Sequence, residues 1–142
     1  MRDTSKRRNR LPPSGVQVVD IPDQVVSRAV SHMRANLNSD LNAPKLARQI
    51  GVSVPHLSRR FRLALRSSPM AVLTELRMEW ARAVLAERDL TQKEIAGQVG
   101  YKTTSAFGRA FLRSQGVTPG EMRRQWRRVT IPGGKLPKAE IR

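Results

Sequence analysis

The chain has 142 residues, no cysteine, two histidines and a net charge of +16. A chain of this length has room for one domain at most, with one small core. Lacking cysteine, it has no disulfide, no thiolate zinc site and no thiol nucleophile, and no run approaches the ~18 apolar residues of a membrane span.

Residues 1–20 hold five basic side chains and two acidic ones (Lys6-Arg7-Arg8-Asn9-Arg10, then Pro12-Pro13-Ser14-Gly15) and show no apolar periodicity. They are expected to form a disordered basic linker or arm. Residues 21–128 form the expected folded domain and keep +11 by themselves, so the charge is not only a tail effect. Residues 129–142, with two prolines and Gly133-Gly134, read as a flexible tail.

Between these ends the pattern predicts an all-α fold of seven helices and no strand, arranged as two helix-turn-helix subdomains joined by a linker helix. The first covers about Pro22–Leu37, with Val25, Val26, Ala29, Val30, Met33 and Leu37 on one face. Asn42 caps the second, with Leu41 and Leu46 as a hydrophobic staple. Ser53 caps the third, with Val52 and Leu57 in the same relation. Its buried side is expected to hold Leu57, Phe61, Ala64 and Leu65. Ser68 and Pro69 open a longer helix to about Arg88, with Leu73, Leu76, Trp80, Ala81, Val84 and Leu85 as its apolar stripe. Thr91 and Glu94 form a capping box for the fifth helix, and Thr103 caps the sixth. Thr118, Pro119 and Glu121 open the seventh with a second capping box.

Two stretches repeat one pattern. Leu46-Ala47-Arg48-Gln49-Ile50-Gly51 leads to Ser53, Leu57, Arg59 and Phe61; Ile95-Ala96-Gly97-Gln98-Val99-Gly100 leads to Thr103, Phe107, Arg109 and Phe111. Each is a short helix, a glycine turn, a capping hydroxyl and a second helix with apolar anchors four residues apart. That is a helix-turn-helix, whose second helix fits the major groove of DNA. With the basic charge, the duplication points to double-stranded DNA ahead of a membrane surface. The scattered aromatics, with one tyrosine, argue against single-stranded RNA, which needs exposed stacking platforms.

On the third helix, Pro55, Ser58, Arg59, Arg62 and Arg66 fall opposite the apolar anchors. Arginine suits guanine O6 and N7 as well as phosphate oxygens. The candidate base readers there are Pro55, Ser58, Arg59 and Arg62. On the sixth helix they are Thr104, Ser105 and Arg109, with Gly108 and Leu112 on the same outer stripe. Candidate phosphate contacts are Ser53, His56, Arg60, Arg66, Lys102, Thr103 and Arg113. Ser53 and the backbone N–H groups at its helix start would help hold a phosphate. Arg60 lies nearer the core side and is not expected to read bases. His32 reads as structural or solvated, and Tyr101 and Trp80 as core. The long fourth helix, ~30 Å at 1.5 Å per residue, suits two recognition helices in successive major grooves ~34 Å apart.

These residues resemble the DNA-binding domain of the AraC/XylS family of bacterial transcription regulators. The resemblance covers about Ile21 to Arg128. It is carried by Arg77-Met78, Ala81 and Val84-Leu85, by Ile95-Ala96, Val99-Gly100-Tyr101, Phe107 and Ala110-Phe111, and by Gly116-Val117-Thr118-Pro119. In the first half Leu46-Ala47, Gly51-Val52-Ser53, Leu57-Ser58-Arg59 and Phe61 match as well. By position, it assigns base reading to Pro55, Ser58 and Arg59, and to Thr104, Ser105, Gly108 and Arg109. Arg66 departs from a frequent glycine, Met122 from a frequent tyrosine, and Gly108 offers no side chain at a contact position.

The resemblance implies transcription regulation by promoter occupancy, recruiting or blocking RNA polymerase in the cytoplasm, with no catalysis, no cofactor and no metal. Non-specific architectural DNA binding, or docking of acidic protein partners, would use the same charge. Family members often carry an effector-binding or dimerising domain. Here either the domain stands alone or such a domain lies outside this chain.

Overall fold

The computed structural model describes residues 23–87 and 89–129; the expected arm and nearly all of the expected tail lie outside them. Among the described residues there are seven helices and no strand. They are α1 (Gln24–Ala35), α2 (Ala43–Ile50), α3 (Val54–Leu65), α4 (Pro69–Glu87), α5 (Gln92–Gln98), α6 (Thr104–Gln115) and α7 (Pro119–Val129).

The helix starts follow the capping chemistry. The Asn42, Ser53 and Thr103 side chains accept from the amides of Lys45, His56 and Ala106 at 2.9, 3.2 and 3.0 Å. Ser68 accepts from Ala71 N at 3.1 Å. At α5 the Thr91 hydroxyl accepts from Glu94 N at 3.1 Å, and Glu94 accepts from Thr91 N at 2.8 Å. Thr118 and Glu121 repeat that reciprocal pair at α7. These bonds hold the carboxyls of Glu94 and Glu121 below their ordinary range, the backbone amide of the capping threonine first in each case. The first helix starts later than the apolar pattern suggested, at Gln24, because Asp23 caps it by accepting from Val26 N at 3.0 Å.

The single core expected from chain length is replaced by two. The chain divides between Leu76 and Arg77 into two compact units. In unit 1, Val26, Ala29, Val30 and Met33 of α1 pack with Leu46, Ala47 and Ile50 of α2, Leu57 and Phe61 of α3, and Val72, Leu73 and Leu76 of α4. In unit 2, Met78, Ala81, Val84 and Leu85 of α4 pack with Ile95, Ala96, Val99, Phe107, Ala110, Phe111 and Met122. Tyr101, Phe107 and Phe111 stack as tilted rings 5.9 and 5.7 Å apart, and the Arg77 guanidinium lies 5.7 Å from the Tyr101 ring centre. Both tryptophans, Trp80 and Trp126, pack against this second core. Helix α4 supplies Val72, Leu73 and Leu76 to the first core and Met78, Ala81, Val84 and Leu85 to the second.

One local expectation changes. Ala64 is exposed, because in the last turn of α3 the larger Leu65 takes the core-facing place. Leu63 stands out in solvent at 68% exposure.

The repeat carries a slip. From Leu46, Ala47 and Gly51 to Ile95, Ala96 and Gly100 the offset is 49; from Ser53, Phe61 and Pro69 to Thr103, Phe111 and Pro119 it is 50. The extra residue lies in the second turn, between Gly100 and Thr103. Gly51 and Gly100 both take the left-handed conformation, with φ of 85° and 84°, which a side chain would disfavour.

Helix α3 ends on Arg66 with φ 55°, and α6 ends on Gly116 with φ 81°. Arg66 is the one non-glycine residue among those described with positive φ. Arg66→Gly is therefore expected to raise the stability of unit 1 by up to about 1 kcal/mol, read as a higher urea midpoint by circular dichroism.

Candidate nucleic-acid interface

Burial of Leu57 and Phe61, both at 0% exposure, fixes the rotation of α3. Pro55, Arg59, Arg62 and Arg66 are then left exposed on one narrow stripe, with Ser58 half-buried at its edge. The residues recur at intervals of four, three and four, so they stay within about 60° of arc. Neither α3 nor α6 contains an acidic residue. The stripe's positive charge therefore has no neutralising partner on its own helix.

The phosphate set separates. Ser53 and His56 are exposed at the start of α3. The backbone there has less to offer than expected. Pro55 has no N–H, the His56 amide is given to the Ser53 side chain, and the Leu57 amide to the Ser53 carbonyl. Only the Val54 amide remains of that turn, so Ser53 can hold a phosphate chiefly through its own hydroxyl proton.

Arg60 is engaged within the fold. Its Nε donates to Asp23 Oδ2 at 2.6 Å, and a second guanidinium nitrogen pairs with the same oxygen. The Asp23 side chain is 8% exposed. Its burial pushes the carboxyl up, but the Val26 amide, the Arg60 hydrogen bond and the Arg60 charge outweigh this and hold it below the usual range. Arg60 thus ties α3 to the start of α1, and Arg28 ties α1 to α2 by donating to the Ile50 carbonyl at 3.2 Å. The sequence held no local signal for the Asp23–Arg60 pair, whose members are 37 residues apart.

A pH prediction follows. A carboxyl with a lowered folded pKa adds stability that is complete above its unfolded value, 3.8, and is lost as pH falls through the folded value. Asp23→Asn is expected to destabilise unit 1 at pH 7 by about 1.5–3 kcal/mol, the range for a charge-assisted hydrogen bond. The gap from the parent should narrow as pH falls well below 3.8. Urea unfolding at neutral and acid pH checks it; a gap independent of pH would count against the charge.

In unit 2, Phe107 and Phe111 at 0% exposure fix α6 in the same way. Lys102, Thr103, Thr104, Ser105, Arg109 and Arg113 are exposed. At this helix start the Ala106 and Phe107 amides are given to Thr103. Thr104 and Ser105 keep their amides toward solvent, beside three hydroxyls. The outer stripe holds fewer cations than that of α3. Leu112 lies on it at 45% exposure. Ser105, Gly108, Arg109 and Leu112 line a shallow hollow completed by Gln92, Thr118 and Pro119. Helical spacing alone puts Leu112 on the stripe, but the hollow also needs the starts of α5 and α7.

A helix-turn-helix domain family matches residues 46–125. The chain belongs to this family, in its AraC/XylS branch. The AraC-type character is shared with a solved transcriptional regulator from Chromobacterium violaceum described as containing an AraC-type DNA-binding domain. That structure is 29% identical, covers 72% of this chain and 91% of its own, and superposes with a TM-score of 0.68. The RCS-specific transcriptional activator RclR of Escherichia coli K12 is 39% identical over 82 residues, 54% of this chain and 29% of that protein. The DNA-binding domain of the global transcriptional factor AdpA, solved in complex with a target DNA, is 25% identical over 75% of this chain and 96% of its own, with a TM-score of 0.70. The chain spans between 14% and 66% of the length of eight curated relatives that it matches. As an AraC-type domain it is a DNA-binding domain of transcription regulation. No described helix is long and apolar enough to cross a membrane.

Proposed function

We propose that this AraC-type domain reads double-stranded DNA in a sequence-specific way, with α3 and α6 in two major-groove segments about one helical turn apart. The observation that carries the reading is the exposed stripe of Pro55, Arg59, Arg62 and Arg66, held outward by buried Leu57 and Phe61 and free of acidic neighbours on its helix. Arg59 and Arg62, with Pro55 and Ser58, are the base-facing set of unit 1. Thr104, Ser105 and Arg109 are that of unit 2. The proposed phosphate contacts are Ser53, His56, Arg66, Lys102, Thr103, Arg113 and Arg60, the last also committed to Asp23.

The strained backbone of Arg66 supports its assignment. A position that favours glycine here keeps a cation at the end of the stripe. The five basic side chains of residues 1–20 add a sequence-independent term, each neutralised phosphate steepening the salt dependence by close to one unit.

The bound domain would act by occupancy in the cytoplasm, recruiting or blocking RNA polymerase, with no catalysis. An effector-binding or dimerising domain outside these residues belongs to the same proposal, supported by the greater length of the curated relatives. The test is selection of bound duplexes from a random pool, followed by footprinting. The expected result is an enriched site bound ~10³-fold or more above random DNA, protected over two adjacent grooves on one face. Strong binding with no enriched sequence would instead establish an architectural role resting on the +16 charge alone.

A further inference from the structure

We propose that the hollow on α6 is a thymine-methyl reader, so that unit 2 selects thymine by apolar contact while unit 1 selects by arginine. The inference rests on the DNA-reading function above. Its first support is Leu112. A single exposed leucine on a protein surface means little, but this one lies on the outer stripe beside Arg109 and walls the hollow with Pro119. Among the base edges in the major groove, the C5 methyl of thymine is the apolar group such a wall would match.

The second support is Gly108, which lines the same hollow. Glycine inside a helix is destabilising relative to alanine. The fold gives no reason for it here: a Cβ at Gly108 would meet nothing within 4 Å, and the backbone is not left-handed. Space left open on the outer face of a recognition helix fits close approach by a bound group. A phosphate suits the hollow less well, because Leu112 and Pro119 form its wall and Arg109 is its one cationic lining residue. A base seated there would place its methyl against Leu112 and its polar edge toward Arg109 or Ser105.

The test uses the full chain and the duplex enriched from the random pool. Each thymine in the segment protected by unit 2 is replaced singly by deoxyuridine, which removes only the methyl, and affinity is read by fluorescence anisotropy. At one position the loss is expected to be about fourfold, as for one apolar carbon taken from water. In Leu112→Ala the thymine and uracil duplexes should bind alike. In Gly108→Ala the melting temperature should rise while the thymine preference falls, which separates reading from folding. If a duplex is enriched but uracil substitution has no effect at any position, or the preference survives in Leu112→Ala, the inference is overturned and the DNA-reading function stands. If no duplex is enriched, specific reading fails and the inference falls with it.

Discussion

Replacing Phe107 with alanine is expected to cost unit 2 about 3–5 kcal/mol. The ring is fully buried and lies between Tyr101 and Phe111, with centroids 5.9 and 5.7 Å away. Removing it deletes two aromatic contacts and leaves a cavity in a core of eleven buried residues. A loss of this size approaches the whole stability of a small unit. The assignment of the effect is unusually clean. Trp80 and Trp126, the chain's two tryptophans, both pack on this core, so intrinsic fluorescence reports unit 2, whereas circular dichroism reports all seven helices. In urea the fluorescence transition of Phe107→Ala should move to low denaturant or disappear. The α1–α3 helical signal should keep its own midpoint. A fluorescence-detected unfolding free energy within about 1 kcal/mol of the parent would show that the core collapses onto the gap.

Arg59→Ala is expected to weaken specific binding by about 1–3 kcal/mol and to relax preference at one or two adjacent base pairs. Arg59 is exposed at the middle of the α3 stripe, four residues after Pro55 and three before Arg62. Folding should be untouched. The adjacent Arg60→Ala provides the opposite signature. It removes the guanidinium held by Asp23, so it should lower the stability of unit 1 while the bound sequence stays the same. Parallel selections and urea curves separate the two. Unchanged discrimination in Arg59→Ala would make Arg59 a phosphate contact or a solvated side chain, with base reading left to Pro55, Ser58 and Arg62.

What was legible in the sequence was local. Asn42, Ser53, Ser68, Thr91, Thr103 and Thr118 each cap the helix they were expected to open, because a capping hydroxyl or amide acts on an amide three residues away. The anchors Leu57, Phe61, Phe107 and Phe111 were legible for the same reason, since helical period alone puts them on one side. Non-local features were not. The two subdomains were legible in the duplicated motif, but the point at which α4 passes from one core to the other, between Leu76 and Met78, was not. Four arginines lie between 59 and 66, and nothing in their spacing says that Arg60 is the one captured by Asp23. The hollow at Leu112 needs three helices at once.

The slip from 49 to 50 in the internal repeat bears on any attempt to transplant specificity between the two motifs. Aligned through their opening helices, the motifs pair Arg59 with Gly108; aligned through their caps and anchors, they pair it with Arg109. One residue is ~100° of helix. A graft in the first register would put Arg59 at Gly108, still on the outer stripe, but Arg62 and Ser58 in place of the buried anchors Phe111 and Phe107. The same side chains moved at an offset of 50 would face outward. The single extra residue between Gly100 and Thr103 therefore decides whether a chimera of these two motifs is a new DNA reader or a misfolded chain.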